Sequence, residues 1–307
     1  MAAQPSDIIK GLPPIPPHAQ DKSVARSGVL IASYQGKRPY QEDRYIVKAG
    51  VNVTAKEAPA LLADAFKSAA AKTDDMNAGS TATGVVLTKD LQLNVAFIGD
   101  SPVVLFIRDP KTGDIDVQKL TRDHSPALPD EKTRIEAEGG IVNGEGRAVG
   151  ITHGGKRITT LAVSRAFGDK GIRGVSRQPE FAAFDLKKEI DAGRQVYAVI
   201  SSDGLYDGSV PKDFIAPIKQ ALAEGKEEKL ADVLTAHAYL NGSTDNITAL
   251  VVKIPTAPEK DLFIALADGH GGALASSTAV RSFSDTLKAR SEPQALDKPK
   301  PSGKLKP

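Results

Sequence analysis

The sequence predicts an α+β sandwich, and three features carry that reading. Many apolar runs have strand length, the clear helical patterns follow one another in pairs instead of alternating with strands, and no internal repeat is visible. The 307 residues allow one large domain or two ordinary ones, with an ample apolar core.

Taken in order, residues 1–26 carry Pro13-Pro14-Ile15-Pro16-Pro17, which favours extended polyproline conformation and reads as a flexible arm. From Ser27, GVLIASYQG reads as a strand and turn and RPYQEDRYIV as a second strand, together a hairpin. Thr54–Ala71 reads as a helix. Thr54 and Glu57 form a capping-box pattern, and Leu61, Leu62, Ala65, Phe66 and Ala69 make one apolar stripe. GSTATGVVL and LQLNVAFIGDSPVVLFI are successive strands, the second broken at Gly99-Asp100-Ser101. Pro129–Glu138 is a short polar helix stopped by Gly139-Gly140. Asn143–Lys156 is glycine-rich and weakly patterned, which predicts a mobile loop.

After Arg157 come ITTLAVSRAFGD and the apolar run VYAVISSDGLYDG. Two helical patterns follow, marked by Ile215, Ile218 and Leu222, then by Leu230, Val233 and Leu234. NITALVVKI is a strand, and LFIALA (262–267) is an uninterrupted apolar run that suits a strand buried on both faces. That run stops abruptly at Asp268-Gly269-His270-Gly271-Gly272, where polar groups and bare backbone can approach a ligand. From Glu292 the chain is rich in Pro and Lys and reads as a disordered tail.

Composition excludes several functions. Forty Lys and Arg against 38 Asp and Glu leave a formal charge of +2, so no strong field favours nucleic acid or an acidic membrane. The absence of cysteine excludes disulfides, zinc-cysteine sites and thiol nucleophiles. No apolar run approaches the ~18 residues of a membrane span, and the N-terminus lacks the pattern of a secretion signal. The chain reads as soluble and cytoplasmic.

Carboxylates then gather at strand ends. Ile264–Asp268 and Val196–Asp203 finish in aspartate, Asp245 stands ahead of NITALVV, and Glu42-Asp43 occupies a fourth strand region. Acidic residues at one strand end serve turns; four such positions around one sheet edge point to a metal. Aspartates without cysteine and with little histidine suit hard ions, Mg²⁺ or Mn²⁺ rather than Zn²⁺.

The ordered pieces RPYQED, GSTATG, VAFIGDS, LTRDHSP, RIEAEGG, LAVSRAFGD, VISSDGLYDG and STDNIT, from about Ser27 to Ile254, resemble the signature segments of the protein phosphatase 2C family, and DGHGG supplies a further one. The family consists of metal-dependent serine/threonine protein phosphatases. The resemblance implies a four-layer α/β/β/α sandwich of two antiparallel sheets flanked by helix pairs, spanning residues 27–291 as one catalytic domain, with two metal ions at one end. It implies that Asp268 bridges both metals, that the Gly269 carbonyl binds one, and that Asp203 and Asp245 complete the other's shell. Glu42 would act through bound water, with Asp43 in support. Arg38 would hold the phosphate and His270 would protonate the leaving group. Asp123 and Asp207 match positions associated with a third, weaker metal, and Asn143–Ile172 would correspond to the flap beside the site. Phosphorylated proteins are the implied substrates, and a monomer is the expected state.

The chemistry agrees. Adjacent cations offset the charge of a phosphate monoester, and a water between two of them loses a proton near neutral pH. A seryl or threonyl leaving group needs a proton, which a histidine titrating near ~6.5 can give. Arginine matches phosphate with a planar fork. Arg165 and Asp169 are expected to pair structurally and buttress the site. His18, His124, His153 and His237 read as structural or solvent-facing. Family members usually carry arginine after GDS; Pro102 stands there instead, which implies an edge or bulge.

One departure is larger. In the family the DGHGG strand and its helix directly follow the RPYQED strand, whereas here they come after the last family strand, at Leu262–Arg290. The linker Pro255–Asp261 reaches at most about 23–25 Å, enough to cross several strand positions. LFIALAD is therefore expected to fill its usual place by another route, with helix Ser276–Arg290 beside the Thr54–Ala71 helix and Asp268 within reach of Asp203. The competing reading is a catalytically silent module of the same fold that binds phosphoproteins or regulates a partner. A nuclease or phosphodiesterase is disfavoured by a net charge near zero.

Overall fold

The structure, a computed structural model, describes residues 28–151 and 158–291. The arm expected over residues 1–26 and the tail expected over 292–307 lie outside the described residues, as do His18 and His153. In chain order the elements are β1 (Val29–Tyr34), β2 (Arg44–Ala49), α1 (Ala58–Thr73), β3 (Gly79–Ser80), β4 (Ala82–Leu87), β5 (Gln92–Ile98), β6 (Val103–Arg108) and β7 (Ile115–Lys119). They continue with α2 (Pro129–Ala137), β8 (Ile141–Val142), β9 (Ala148–Ile151), β10 (Ile158–Leu161), β11 (Phe167–Gly168), β12 (Glu180–Asp185), α3 (Lys187–Asp191) and β13 (Gln195–Ser201). The last stretch holds α4 (Ile215–Ala223), α5 (Leu230–Leu240), β14 (Ile247–Lys253), β15 (Leu262–Ala267), β16 (Gly269–His270) and α6 (Leu274–Ser291).

Two five-stranded antiparallel sheets, ordered β1-β14-β13-β6-β7 and β12-β5-β4-β15-β2, form the middle layers. Period-2 alternation fills both sides of each sheet. On β6, Val103, Leu105 and Ile107 join the core between the sheets, while Val104 and Phe106 face α4 and α5. On β15, Leu262, Ile264 and Leu266 enter the same central core, while Phe263, Ala265 and Ala267 pack under α1 and α6. The α+β sandwich is therefore four-layered, α/β/β/α, as the resemblance implies. Among the described residues no helix is long and apolar enough to cross a membrane.

β15 lies between β2 and β4, antiparallel to both, with Leu266 opposite Tyr45 on one side and Thr83 on the other. Its double-sided apolarity makes that slot favourable: each of Phe263, Ile264 and Leu266, none more than 1% exposed, is worth roughly 1.5–3 kcal/mol on burial. Asp261 fixes the strand's entry. Its carboxylate accepts the Lys89 N–H at 2.8 Å and the Val53 N–H at 3.3 Å, one from the segment after each flanking strand. α6 packs beside α1, with the Phe66 and Phe283 rings 5.3 Å apart.

Four local expectations are corrected. β1 and β2 form no hairpin: β1 pairs with β14 in one sheet and β2 with β15 in the other, so residues 35–43 cross between sheets. The first helix begins at Ala58, not Thr54. Glu57 turns back to accept both the N–H and the hydroxyl of Thr54, so the threonine hydroxyl caps nothing in the helix, and it is the Thr54 carbonyl that accepts the Ala58 N–H at 3.0 Å. Part of the expected loop is regular, because β9 pairs with both β8 and β10 in a small three-stranded sheet. Pro102 marks neither edge nor bulge. It leads into β6, an interior strand, and its carbonyl accepts the Ser201 N–H at 3.1 Å.

Candidate active site

The crossings at 35–43, from β1 to β2, and 99–102, from β5 to β6, reach the same end of the sandwich as the start of β14 and the ends of β13 and β15, and that end carries the polar residues. Asn246, just before β14, knits that end together. Its Oδ1 accepts the Glu42 N–H at 2.8 Å, and its Nδ2 donates to the carbonyls of Gln35 at 2.7 Å and Tyr40 at 2.9 Å. The 35–43 crossing, which bears Arg38, Glu42 and Asp43, is thus held against the residue following Asp245. Gly269 packs on Glu42 so closely that a Cβ would lie 2.9 Å from the Glu42 carbonyl oxygen, and Ser276 Oγ donates to that carbonyl at 2.6 Å.

Beneath the surface lies Asp43. Its Oδ2 accepts Thr248 Oγ1 at 2.6 Å and Ser202 Oγ at 2.9 Å, while Oδ1 is buried with no hydrogen-bond partner. Burial pushes its pKa up to about 6 against the pull of those hydroxyls, with the Asp203 charge adding to the rise. Asp268 feels the charges of both Asp43 and Asp203. Burial, then the charges of Asp43, Asp203 and Asp100, hold Asp268 well above the usual carboxylate range. Asp203 is raised by burial and Asp245, and Asp100 reaches about 7 through burial, Asp203 and Asp123.

Each of these groups resists ionisation because burial strips its water and its neighbours are acids. A cation among them would reverse that, and an all-oxygen donor set with an orphaned Asp43 Oδ1 fits a hard divalent ion. Among the described residues no three acidic or imidazole side chains already stand in a finished coordination shell. The residues fit the ion in chemistry.

Above them a cleft of about 760 Å³ is lined by Arg38, Asp203, Asp245, Asp268, Gly269 and His270, together with Asp100. A second cleft of about 600 Å³ shares Arg38, Asp100, Asp203 and Asp245 and adds Asp123 and Asp207. Asp123 is bound by Lys119 Nζ at 2.6 Å, and Asp207 accepts the Thr244 N–H at 3.1 Å. Glu42 lines neither cleft. The Arg38 guanidinium is half exposed and meets Asp245 at 2.5 Å.

His270 Nε2 lies 2.8 Å from Asp169 Oδ2. Burial works against protonation of the ring, but the Asp169 bond and charge, with Asp100 and Glu42 behind them, hold its pKa above the ordinary value. Gly79 is required beneath this pair, because a Cβ there would collide with both side chains.

The expected Arg165–Asp169 pair does not form. Arg165 binds Glu131 at 2.5 Å and Glu180 at 2.9 Å, and Asp169 is spent on His270. Asp100 is the acid that sequence reasoning left out of the site. Its signal was available: GDS interrupts two apolar runs as the other strand-end acids do, but it reads equally as a turn. His124 is buried and accepts the Gly99 N–H at 3.0 Å, directly behind Asp100.

Comparison with known proteins places this arrangement. The family model described as "Protein phosphatase 2C" matches residues 33–247, ending before β15. A rice (Oryza sativa subsp. japonica) protein, "Probable protein phosphatase 2C 59", is 36% identical over 194 residues, 60% of this chain and 52% of that protein. An Arabidopsis thaliana protein, "Probable protein phosphatase 2C 11", is 37% identical over 180 residues, 58% of this chain and 42% of the relative. The chain thus spans about half the length of such curated relatives. Among solved structures, the serine-threonine phosphatase 2C from Toxoplasma gondii superposes with a TM-score of 0.58 at 22% identity, covering 74% of this chain and 94% of that one. The matched residues carry most of the strands and most of the acids described above, and the chain belongs to the protein phosphatase 2C family.

Proposed function

We propose that this protein is a metal-dependent protein serine/threonine phosphatase that hydrolyses phosphoserine and phosphothreonine monoesters. One observation carries the reading: Asp43, Asp100, Asp203 and Asp268, each resisting ionisation, converge beneath a cleft whose lining includes Arg38 and His270. Asp268, the Gly269 carbonyl, Asp203 and Asp245 would hold two Mg²⁺ or Mn²⁺ ions, Glu42 would act through water, and Asp43 would support them from below. Asp123 and Asp207, with Asp100, would serve a weaker third ion. Such ions supply positive charge against the phosphate and lower the pKa of a water.

The chain's own residues do the rest. Arg38 exchanges Asp245 for two phosphate oxygens, its planar fork orienting the group. His270 delivers a proton to the departing seryl or threonyl oxygen, and Asp169 keeps the ring turned and charged until then. With no cysteine in the chain, no thiol phosphoenzyme forms. Phosphorylated proteins are the substrates in this reading.

The test is hydrolysis of p-nitrophenyl phosphate with Mn²⁺, with EDTA as control, followed by phosphopeptides against bis-p-nitrophenyl phosphate. Mn²⁺-dependent, EDTA-sensitive turnover of monoesters alone is the expected result. No turnover by cleanly folded protein would leave the silent phosphopeptide-binding module as the function of this fold.

A further inference from the structure

The cleft above the carboxylates is lined by three cations besides His270: Arg38, Arg147 and Lys170. Two of them are already paired, Arg38 with Asp245 at 2.5 Å and Lys170 with Asp75 at 2.6 Å. Arg147 meets no carboxylate among the described residues. Its Nε donates to Thr160 Oγ1 at 3.1 Å and its Nη2 to the Thr160 carbonyl at 3.5 Å.

The position of this arginine is built into the fold. Asn143 Oδ1 accepts the N–H groups of Glu145 at 3.1 Å and Arg147 at 2.9 Å, and the Asn143 N–H returns to the Arg147 carbonyl at 2.9 Å. Gly146, at φ +72°, packs on Ala127 where a Cβ would come within 2.7 Å of that methyl. Ala148 then enters β9 opposite Leu161 of β10. The backbone is fixed on both sides, and the guanidinium leans across the strand pair to Thr160.

An arginine held in this way keeps unused donors in a rigid fork that suits a carboxylate or phosphate. The floor of the same cleft is acidic, so an acidic substrate segment entering it needs a cation of its own. We propose that Arg147 forms an anion subsite, separate from the phosphate site at Arg38, that receives a carboxylate or second phosphate on a residue flanking the phosphoserine or phosphothreonine. The proposal rests on the phosphatase reading and names a substrate class for it.

Phosphoserine peptides that differ only in one flanking residue, Glu, phosphoserine, Gln or Lys, test it. The wild type should favour the Glu or the phosphoserine peptide over the Gln peptide by about five- to tenfold in kcat/KM, the scale of one charge-assisted bond at a partly screened site. High salt should shrink that preference. Arg147→Gln should erase it, Arg147→Lys should keep part of it, and Arg147→Glu should turn it towards the Lys peptide. All variants should hydrolyse p-nitrophenyl phosphate at the wild-type rate. An arginine that merely braces β9 and β10 would not invert a preference. The Glu and phosphoserine arms show which anion the subsite takes. Turnover without preference, or a preference that survives in Arg147→Gln, would overturn the subsite alone; no turnover of any substrate would overturn the phosphatase reading with it.

Discussion

Two clusters of acids in this molecule behave in opposite ways. Glu131, 1% exposed, is bound by Arg165 at 2.5 Å and Arg134 at 2.7 Å, with Arg122 at 3.2 Å. Burial pushes it up, but the bonds from those arginines prevail and hold its pKa at about 2. Asp43, Asp100, Asp203 and Asp268 lie together while the nearby Arg38 is bound to Asp245, and all four are pushed up. The same side-chain type is satisfied by the fold in one place and left in want of a cation in the other. The first cluster braces the structure. The second is assembled at a cost to the metal-free fold, which is how a binding site differs from a structural ion pair.

The largest effect should come from removing charge at the centre. Asp203→Asn and Asp268→Asn should each lower Mn²⁺-dependent turnover by a thousandfold or more, about 4 kcal/mol of barrier. In EDTA both variants should melt higher than wild type, because a repulsion has been removed. Near-normal rates from either folded variant would break the contrast.

Glu131→Gln should do the reverse, destabilising the protein in urea while leaving metal activation in place. The expected loss is about 2–3 kcal/mol, below the roughly 3–5 of a fully buried pair because Arg122 and Arg134 keep contact with water.

The pH dependence in chelator sharpens the comparison. Asp43 and Asp100 rise from 3.8 to about 6 and about 7, so between pH 4 and 7 the folded protein keeps protons that the unfolded chain has released. Stability is complete below that window and falls as pH rises through it. For Glu131, lowered from 4.5 to about 2, stability is present above pH 4.5 and falls as pH drops towards 2. Asp43→Asn should flatten the first limb and Glu131→Gln the second in thermal melts across pH.

The smallest effects separate binding from chemistry. Arg38→Ala should raise KM about ten- to a hundredfold with little change in kcat, since a charged hydrogen bond is worth roughly 1.5–3 kcal/mol. His270→Ala should lower kcat for phosphopeptides and scarcely affect p-nitrophenyl phosphate, whose leaving group hardly needs the proton. Equal losses on both substrates would remove His270 as the acid.

Much of this was legible in the residues. LFIALA is apolar at every position, so its burial on both faces followed from the run itself, and it holds in β15. The acids at 203, 245 and 268 stood out because each interrupts or adjoins such a run. Asp100 was lost because a single Gly-Asp-Ser break carries the same local signal as a turn. The supposed hairpin of β1 and β2 failed for a related reason: alternation says that a segment is a strand but not which strand it pairs with.

The sequence alone therefore determined the strands, their buried faces and the oxygen-rich chemistry of their ends, because period and polarity are properties of neighbouring residues. Tertiary structure decided which acids meet, that Asp169 serves His270 and not Arg165, and that β15 enters between β2 and β4 from the far end of the chain. Those choices rest on contacts between residues up to about two hundred positions apart, such as Asn246 with the Glu42 amide and Asp261 with that of Val53. No local pattern encodes such pairings. They are set by which strand arrangement buries every apolar face at once.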